Sequence, residues 1–473
     1  MKQYLHQCSL LFSFILLAFA ASANVRLPAI IGNHMVLQQS GIVNLWGWSD
    51  ASEKITIRTS WDTTTYSTTA SAEARWQVAI RTPAAGGPHR ITIKGNNTIE
   101  LEDVMIGEVW LCSGQSNMEW SGDNGLPQTL SEMPNATNKQ IRFFHVPRTT
   151  SRHPQDDVKA QWVVCTPEDM KRFSAIGYFF GKEINAALQT PVGLINASWG
   201  GTPAEVWTPE PTVTANADLA AAAKKLTPQQ WWTVRPGAAY NGMIAPLAPY
   251  GIAGVLWYQG ESNVSTANTY TPLFTAMIEH WRKAFGRQFP FYFVQIAPYS
   301  GYGKDNVGSA LLREAQTATL ALPRTGMVVT TDLVDDIADI HPKMKKEVAH
   351  RLAQLALGDA YGQKVANYQS PRYSHFSEEK GRMRIHFTEG VAKLTSRGGA
   401  PKEFYVAGED RMFYPATAKI EGKTIVVSSR QVAKPVAVRF AFTNAPQPNL
   451  YGENGLPVVP FRTDKWNDVL TVK

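Results

Sequence analysis

From about residue 104 to residue 361, short apolar runs alternate with segments whose apolar residues repeat at helical spacing. The apolar runs cover residues 104–111, 192–196, 252–258, 291–296 and 327–331. The helical segments cover residues 174–188, 268–285, 308–321 and 343–357. Strands without polar alternation are typical of parallel sheets, which are buried on both faces. The alternation therefore predicts an α/β domain over 104–361, with a parallel sheet covered by helices on both sides.

The segments on either side of this domain show β-strand patterns instead. Residues 24–103 contain runs that alternate apolar and polar side chains, at 43–48, 54–58, 76–80 and 90–93. Turn residues separate these runs, so we expect a small β domain of the sandwich type. Residues 362–473 contain further strand-like runs, at 382–387, 403–406, 424–427 and 436–442. The C-terminal region is therefore also predicted to be β-rich.

The first 23 residues have the pattern of a secretory signal peptide. A basic start at Met1-Lys2 precedes an apolar stretch from Cys8 to Ala21, and small residues up to Ala23 supply a cleavage site. The apolar stretch is short for a bilayer span, so an uncleaved membrane anchor is the weaker alternative. We expect an exported protein, periplasmic or extracellular, cleaved near Ala23 and without stable membrane insertion.

Composition and charge argue against a disordered protein, a nucleic-acid-binding protein and a zinc protein. Hydrophobic residues make up 44% and charged residues 18% of the chain, which is typical of globular proteins and not of disordered ones. The net charge is +7, but Lys and Arg are scattered, so no nucleic-acid-binding patch is indicated. Beyond residue 23 only Cys112 and Cys165 remain, which leaves a disulfide or two core thiols open. No Cys/His cluster has zinc spacing, and we expect no metal.

Several segments with reactive side chains follow predicted strands. In an open parallel sheet, ligands bind beyond the carboxyl ends of the strands, so these segments are active-site candidates. The first is Gly114-Gln115-Ser116-Asn117, where the glycine permits a tight turn and Ser116 can expose its hydroxyl as a nucleophile. An ordinary polar turn is the alternative.

The second segment, at residues 198–205, carries two glycines and the sequence of a helix start. Thr202, Pro203 and Glu205 fit the N-cap, the first helical position and the capping-box position. The glycines would then lie at a helix N-terminus, where free amides can stabilise an oxyanion. The alternative is a well-capped helix after a tight turn.

The third segment follows the strand predicted at 252–258. Gln259 or Asn263 can donate a side-chain N–H to an oxyanion, and Glu261 can orient one of them. Packing or turn formation is the alternative for each.

A fourth segment contains a candidate general base. His341 precedes the helix predicted at 343–357, and Asp339 lies two positions earlier. In an extended segment both side chains point the same way, so Asp339 can orient the imidazole as the third member of a triad. A surface turn is the alternative.

Four motifs in this order resemble the sialate O-acetylesterase family of the SGNH-hydrolase superfamily. They are Gly-Gln-Ser-Asn-Met at 114–118, Trp-Gly-Gly-Thr-Pro at 199–203, Trp-Tyr-Gln-Gly-Glu-Ser-Asn at 257–263 and Asp-Ile-His-Pro at 339–342. Segments at 240–247 and 461–464 extend the resemblance over most of the chain. The resemblance implies an SGNH-type three-layer α/β/α catalytic domain, flanked by β-sandwich-like domains.

The resemblance also implies catalytic roles. Ser116 matches the nucleophile and His341 the general base. In much of the superfamily the acidic residue lies three positions before the histidine, where this chain has Ala338. Asp339 resembles the variant of the sialate esterases, while Asp336 or a backbone carbonyl remains open for orienting His341.

Further residues match the oxyanion site and the substrate site. The oxyanion donors implied are the amides of Ser116 and of Gly200 or Gly201, with Gly201 preferred, and the side chains of Gln259 or Asn263. Gln115, Glu261 and Arg235 are substrate-binding candidates, Arg235 for a sialate carboxylate or, alternatively, a structural ion pair. Six indoles lie in or near the motifs and are sugar-stacking candidates or core residues: Trp120, Trp199, Trp207, Trp231, Trp232 and Trp257.

The resemblance implies a serine esterase that removes acetyl groups from sugars and needs no cofactor. O-acetylated sialic acids are the favoured substrates, and acetylated plant polysaccharides such as xylan are the alternative. A non-catalytic carbohydrate-binding protein is a third hypothesis, which the presence of both Ser116 and His341 disfavours. The oligomeric state is left open.

Overall fold

A computed structural model describes residues 24–303, 307–388 and 392–466. The signal peptide expected at 1–23 lies outside the described residues. The described chain forms a β-rich region, an α/β region and a second β-rich region, in that order. Within these ranges no helix has the length and apolar character needed to cross a membrane.

The N-terminal region is built from strands, as its alternating runs predict. They are β1 (Val36–Gln38), β2 (Ile42–Trp48), β3 (Lys54–Thr59), β4 (Thr65–Thr69), β5 (Arg75–Arg81), β6 (Gly86–Lys94) and β7 (Thr98–Gly114). Strands β2 and β5 form one small sheet, and β1, β3, β4 and β6 join the first part of β7 in another. Leu45 and Ile80 from the first sheet and Ile57 and Ile93 from the second are fully buried in one core. Each sheet thus buries one face, as in a sandwich.

The central region contains the predicted parallel sheet. Its further strands are β8 (Asn138–His145), β9 (Trp162–Cys165), β10 (Val192–Ser198), β11 (Gly254–Tyr258), β12 (Phe291–Val294) and β13 (Thr325–Val328). The order is β13-β12-β11-β7-β10-β8-β9, and only the edge strand β9 is antiparallel to its neighbour. The sequence patterns did not predict β8 and β9, because Arg142 interrupts the apolar run of β8 and β9 has only four residues.

Helices lie along this sheet and between its strands. The α-helices are α1 (Ser116–Glu119), α2 (Pro127–Glu132), α3 (Pro167–Arg172), α4 (Ala175–Leu188), α5 (Glu210–Thr214), α6 (Ala217–Ala223), α7 (Tyr270–Ala284), α8 (Gly308–Ala318) and α9 (Lys345–Asp359). The 3-10 helices are Gly122–Asn124, Met133–Asn135, Ala204–Trp207, Ala245–Leu247, Glu261–Thr269, Ser300–Tyr302 and Thr319–Ala321, and Tyr240–Ile244 is a π-helix. The four predicted helices are confirmed as α4, α7, α8 and α9.

The two faces of the sheet bury separate cores. Val109 and Leu111 of β7 pack in the core that contains the apolar side chains of α7 and α8. Trp110 and Cys112 point to the opposite face and pack with α4 and α9. Because successive side chains of β7 enter opposite cores, the sheet is covered on both sides. The predicted three-layer α/β/α arrangement is confirmed.

Strand β7 belongs to both the N-terminal sheet and the central sheet. Its first part pairs with β6 and β1, and its last part, from Glu108 to Gly114, pairs with β10. The domain boundary predicted between residues 103 and 104 falls within this strand. The two regions therefore share a strand, and apolar side chains of both lie in one continuous core.

The C-terminal region is β-rich, as predicted. Its strands are β14 (Tyr373–Glu379), β15 (Arg382–Phe387), β16 (Leu394–Ser396), β17 (Phe404–Ala407), β18 (Phe413–Pro415), β19 (Thr417–Glu421), β20 (Thr424–Ser428), β21 (Ala437–Phe440), β22 (Leu450–Gly452) and β23 (Phe461–Arg462). They form sheets in the orders β14-β15-β20-β19 and β18-β17-β21-β23, and a β16-β22 pair. Met383 and Ile425 of the first sheet share a core with Val406 and Phe440 of the second.

The two cysteines are core thiols. Cys112 and Cys165 are buried and unpaired. Burial raises the pKa of both thiols to about 12, so both are protonated at neutral pH. Of the two possibilities that the sequence left open, the structure has the one without a disulfide.

We expect Gly114→Ala to destabilise the protein and to remove its activity. Gly114 has φ of +130°, and a Cβ there would lie 2.2 Å from the carbonyl oxygen of Tyr258. Strained backbone costs on the order of 1–3 kcal/mol, and the contact with a backbone oxygen adds to that figure. Thermal unfolding should show a lower midpoint than that of the wild type.

Gly286→Ala is the matched control for this substitution. Gly286 also has positive φ, +62°, but a Cβ there would meet no heavy atom within 4 Å. Only the backbone term of about 1–2 kcal/mol then applies. Equal unfolding midpoints for the two variants would contradict the importance of the close contact at Gly114.

Candidate active site

The carboxyl ends of three neighbouring strands meet around Ser116. Strand β7 ends at Gly114, β10 at Ser198 and β11 at Tyr258. The Gln115 amide donates to the Tyr258 carbonyl at 3.0 Å, and the Trp199 amide donates to the Gly114 carbonyl at 2.9 Å. These bonds extend the sheet ladder past the strand ends. The turn into α1 then places Ser116 at the first position of that helix.

The structure brings Ser116 and His341 into direct contact. The Nε2 atom of His341 lies 2.9 Å from Ser116 Oγ, although the residues are 225 positions apart. The His341 ring stacks on the Trp120 indole, with centroids 4.1 Å apart and planes 20° from parallel. The stacking restricts rotation of the imidazole and keeps Nε2 directed at the hydroxyl. A neutral imidazole can accept the hydroxyl proton in this arrangement.

The Asp339 carboxylate lies beside the His341 ring. Its Oδ1 accepts the backbone N–H of His341 at 2.9 Å and lies 3.7 Å from Nδ1. Asp336 accepts the backbone N–H of Ala338 at 2.8 Å and so stabilises the preceding turn. Among the ion pairs of the described residues, only the Asp339 carboxylate lies within 4.0 Å of the His341 ring.

Burial lowers the pKa of His341. The positive charge of Lys345 lowers it further, and the Asp339 carboxylate opposes both effects. The imidazole is therefore mostly neutral at pH 7, which is the form that a general base needs.

The candidate oxyanion amides differ in whether they already donate a hydrogen bond within the protein. The Gly200 amide donates to Glu119 Oε2 at 2.8 Å. The Gly201 amide has no acceptor among the described residues, and its φ of +79° suits glycine. The Ser116 amide, at the first position of α1, has no intrahelical partner. Ser116 and Gly201 are thus the candidate residues whose amides are not engaged by another described residue.

The hydrogen bonds of Gln259 and Asn263 correct their predicted role as oxyanion donors. Gln259 Nε2 donates to the Thr202 carbonyl at 3.2 Å and to Asn263 Oδ1 at 2.8 Å. Asn263 Nδ2 donates to Glu205 at 2.8 Å and to Thr266 at 3.2 Å. Each amide group has two protons, and both are engaged in fully buried contacts. These side chains support the loops around the site instead.

The helix start predicted at 198–205 is also corrected. The local helix is a single 3-10 turn, Ala204–Trp207, which begins after Pro203 without a side-chain cap. The Thr202 hydroxyl donates to the Trp199 carbonyl and accepts from the Trp207 indole, so it is not available as a cap. The position of Gly201 therefore depends on a tight turn and not on the N-terminus of a long helix.

The three substrate-binding candidates have partners within the protein. Gln115 is buried, and its Oε1 accepts the amides of Gly260 and Ser262 at 3.3 and 3.4 Å. Glu261 is buried and accepts from Asn117. The Arg235 guanidinium lies 2.9 Å from Glu210, which is the structural ion pair left open by the sequence. These contacts engage one polar atom each of Gln115, Glu261 and Arg235 within the protein.

The candidate indoles occupy different surroundings. Trp207 and Trp257 are fully buried core residues, and the Trp199 indole donates to the Trp231 carbonyl. Trp231 is 63% exposed. The Trp232 ring covers Gly201 so closely that a Cβ on this glycine would lie 2.5 Å from it. An aromatic surface thus lies beside one candidate oxyanion amide.

Several residues of the site were not singled out by the sequence patterns. Asn117 lies inside the first motif, and Lys345 occupies a core-facing position of α9, where a charged side chain is a detectable irregularity. Glu119 links Gly200 to Arg148, whose Nε lies 2.6 Å from Glu119 Oε1. No local pattern marks Arg148, because its position near the site depends on this contact. Within the described ranges, no three His, Cys, Asp or Glu side chains cluster as a metal site would require.

Comparison with known proteins agrees with this geometry. A family model described as carbohydrate esterase, sialic acid-specific acetylesterase, matches residues 106–358, which is more than half of the chain and includes both Ser116 and His341. The chain belongs to this family. The protein is therefore an esterase, and the family resemblance of the four motifs is confirmed.

Individual known proteins are similar to this chain over most of their length. The sialate O-acetylesterase of Homo sapiens is 30% identical, and the alignment covers 93% of each chain. The sialate O-acetylesterase of Mus musculus is 31% identical over 76% of this chain and 79% of its own. The crystal structure of a carbohydrate acetylesterase from Xanthomonas citri superposes with a TM-score of 0.86 at 37% identity, covering 94% of this chain and all of that one.

The pH dependence of this esterase should follow the protonation of His341. Because the pKa of His341 is lowered, activity should fall as pH drops through a midpoint below the usual value of about 6.5. The Asp339 charge raises the pKa of His341, so Asp339→Asn should reduce kcat and move this acid limb to still lower pH. The measurement is kcat/KM on a small acetyl ester from pH 4.5 to 8.5 at constant ionic strength.

Asp336→Asn is the control for Asp339→Asn. The asparagine oxygen can still accept the Ala338 amide, so the acid limb and kcat should stay near those of the wild type. If Asp336→Asn shifts the limb and Asp339→Asn does not, the assignment of the orienting carboxylate is wrong.

Proposed function

We propose that this protein is a carbohydrate O-acetylesterase that acts on O-acetylated sialic acids through a Ser116–His341 pair. The observation that carries the proposal is the 2.9 Å contact between Ser116 Oγ and His341 Nε2 at the carboxyl edge of the sheet. Ser116 has an available backbone amide, and Gly201 supplies a second one nearby. This combination of nucleophile, base and amide donors is what acyl transfer requires.

The reaction follows from these groups in two half-reactions. His341 takes the Ser116 proton as Oγ attacks the acetyl carbonyl, and the Ser116 and Gly201 amides stabilise the oxyanion. The tetrahedral intermediate collapses, the sugar oxygen leaves with the proton from His341, and an acetyl ester remains on Ser116. Water then attacks this ester with the help of His341 and releases acetate. Protein groups carry each of these steps.

Arg148 supports a sialate over a neutral sugar as substrate. Its side chain is 55% exposed, and its Nε contacts the Glu119 carboxylate, whose other oxygen holds Gly200 next to Ser116. An exposed arginine that Glu119 connects to the loop of Gly200 can bind the carboxylate of a sialic acid. The names of two relatives, both sialate O-acetylesterases, also support this proposal.

Two indoles offer a surface for the sugar ring. Trp231 is largely exposed, and Trp232 packs against Gly201. The rings lie 5.6 Å apart at 70°, so they present two differently oriented faces. Sugar C–H groups pack well against such faces, and we assign Trp231 and Trp232 to substrate binding.

The protein is further proposed to be exported, with cleavage near Ala23. The support is the sequence pattern of residues 1–23, a short basic start followed by an apolar stretch and small residues.

The function is tested by acetate release from two substrates side by side. Wild type and Ser116→Ala are each assayed on O-acetylated sialic acid and on acetylated xylan. Release from the sialic acid alone is expected, and loss of the nucleophile should lower it about 10⁶-fold. Release from xylan alone would keep the mechanism and overturn the substrate. Release from neither substrate, together with no hydrolysis of a small acetyl ester, would favour a non-catalytic carbohydrate-binding protein.

Arg148→Gln should weaken binding of the charged substrate selectively. A charge-assisted hydrogen bond is worth about 1.5–3 kcal/mol, so KM for O-acetylated sialic acid should rise about 10- to 100-fold. KM for a neutral acetylated sugar should change little. Arg235→Gln is the matched control, because Arg235 also pairs with a carboxylate, Glu210, whereas the carboxylate that binds Gly200 is the partner of Arg148; this variant should leave both values unchanged. Equal losses on both substrates would contradict carboxylate recognition by Arg148.

A further inference from the structure

The buried side-chain amide of Asn117 links the segment that carries Ser116 to the segment that carries His341. Asn117 follows the nucleophile in the chain, and its Nδ2 donates to the carbonyl of Ile340, the residue before His341, at 3.1 Å. The same Nδ2 donates to Glu261 Oε1 at 2.6 Å. Its Oδ1 accepts from Lys345 Nζ, also at 2.6 Å. One side chain thus connects α1, the loop that carries the base, the 3-10 helix Glu261–Thr269 and the start of α9.

The contacts of Asn117 fix which way its amide faces. Lys345 can only donate to the oxygen, and an ionised Glu261 can only accept from the nitrogen. If the amide turned over, N–H would face the ammonium group and the oxygen would face the carboxylate. The Ile340 carbonyl would then lose its donor. Oppositely charged neighbours therefore select the orientation that binds the His341 loop.

Stability alone does not account for these charges. Asn117 and Lys345 are 1% exposed and Glu261 is 7% exposed. Glu261 Oε2 has no hydrogen-bond partner among the described residues. Burying an ammonium and an incompletely bonded carboxylate is unfavourable compared with apolar side chains of similar size. An arrangement of this kind is expected where orientation matters more than stability.

We propose that Asn117 is a positioning residue that sets the distance between Ser116 and His341, and that Lys345 and Glu261 hold its amide in the required orientation. The proposal rests on the esterase mechanism proposed above. It adds three residues that contact neither substrate nor the reacting atoms. They act by holding α1, which carries Ser116, at a fixed distance from the loop that carries His341.

The charge of Lys345 should affect the pH profile of the enzyme, because it acts on the pKa of His341. The groups that face its ammonium are Glu261, Asp339, Asp335, His341 and the Tyr258 ring. Burial lowers the pKa of Lys345 to about 7, so the group carries its charge on the acid limb of the reaction. That charge lowers the pKa of His341, and its removal should raise the pKa of His341.

The first experiment compares wild type with Asn117→Ala on a small acetyl ester, with functional sites counted from the burst of the released alcohol. A displacement of about 1 Å between the reacting groups can reduce the rate about 100-fold. We expect a fall in kcat per functional site of this size, with KM changed less than about threefold. A per-site kcat within threefold of the wild type would overturn the proposal. An inactive wild type would instead contradict the proposed function.

The second experiment uses Lys345→Met, which needs no change at Asn117. We expect a lower kcat and an acid limb of kcat/KM displaced to higher pH, because His341 loses a neighbouring positive charge. Lys346→Met is the matched control, since Lys346 is the next residue of α9 and is exposed. Its profile should match the wild type. An unshifted limb in Lys345→Met would overturn the role given to Lys345.

A double variant separates positioning from stability. In Asn117→Asp the new carboxylate faces Glu261, whereas in Asn117→Asp/Glu261→Gln it can accept from the new amide. We expect the double variant to recover much of the thermal stability lost in the single one. Its kcat should stay low, because the Ile340 carbonyl still has no donor. Full recovery of kcat together with stability would show that Asn117 has a purely structural role.

Discussion

The turn at Gly114 is the constraint on which the active site depends. There β7 leaves the sheet beneath the Tyr258 carbonyl, and the chain enters α1 within two residues. Hydrogen bonds from Gln115 and Trp199 continue the ladder past the turn on both sides. Ser116 is thus attached to the central strand of a tightly packed sheet. Its position is set by the packing of both cores and not by the conformation of a free loop.

The layered fold could be predicted because its signals are local. Buried parallel strands and amphipathic helices each carry their own periodicity, and the helices α4, α7, α8 and α9 were found where the spacing predicted them. The strands β8 and β9 could not be predicted, since one is interrupted by Arg142 and the other is four residues long. Arg142 is buried there because it pairs with Asp103, a contact that no local pattern contains.

In the site, too, features set by neighbouring residues could be predicted, and features set by contacts between distant residues could not. The motifs predicted that Ser116 and His341 act together, because a residue type at a strand end already indicates its chemistry, and the structure places the two side chains in contact. They did not identify which polar side chains are free, since that depends on partners far along the chain. Gln259 and Asn263 use their N–H groups within the protein, and Gly200 gives its amide to Glu119. Of the two glycines in the second motif, Gly201 is thus the one whose amide has no acceptor among the described residues.

The continuity of β7 has a consequence for how this protein can be divided. Because residues 98–107 pair with the N-terminal strands and the following residues pair with β10 and β11, a cut at the start of the hydrolase sequence would open a sheet in mid-strand. An exposed strand edge invites aggregation. A recombinant hydrolase unit, or a chimera with another esterase, would have to keep the N-terminal β region with it. A domain boundary drawn from sequence motifs therefore does not mark a segment that can be exchanged between proteins.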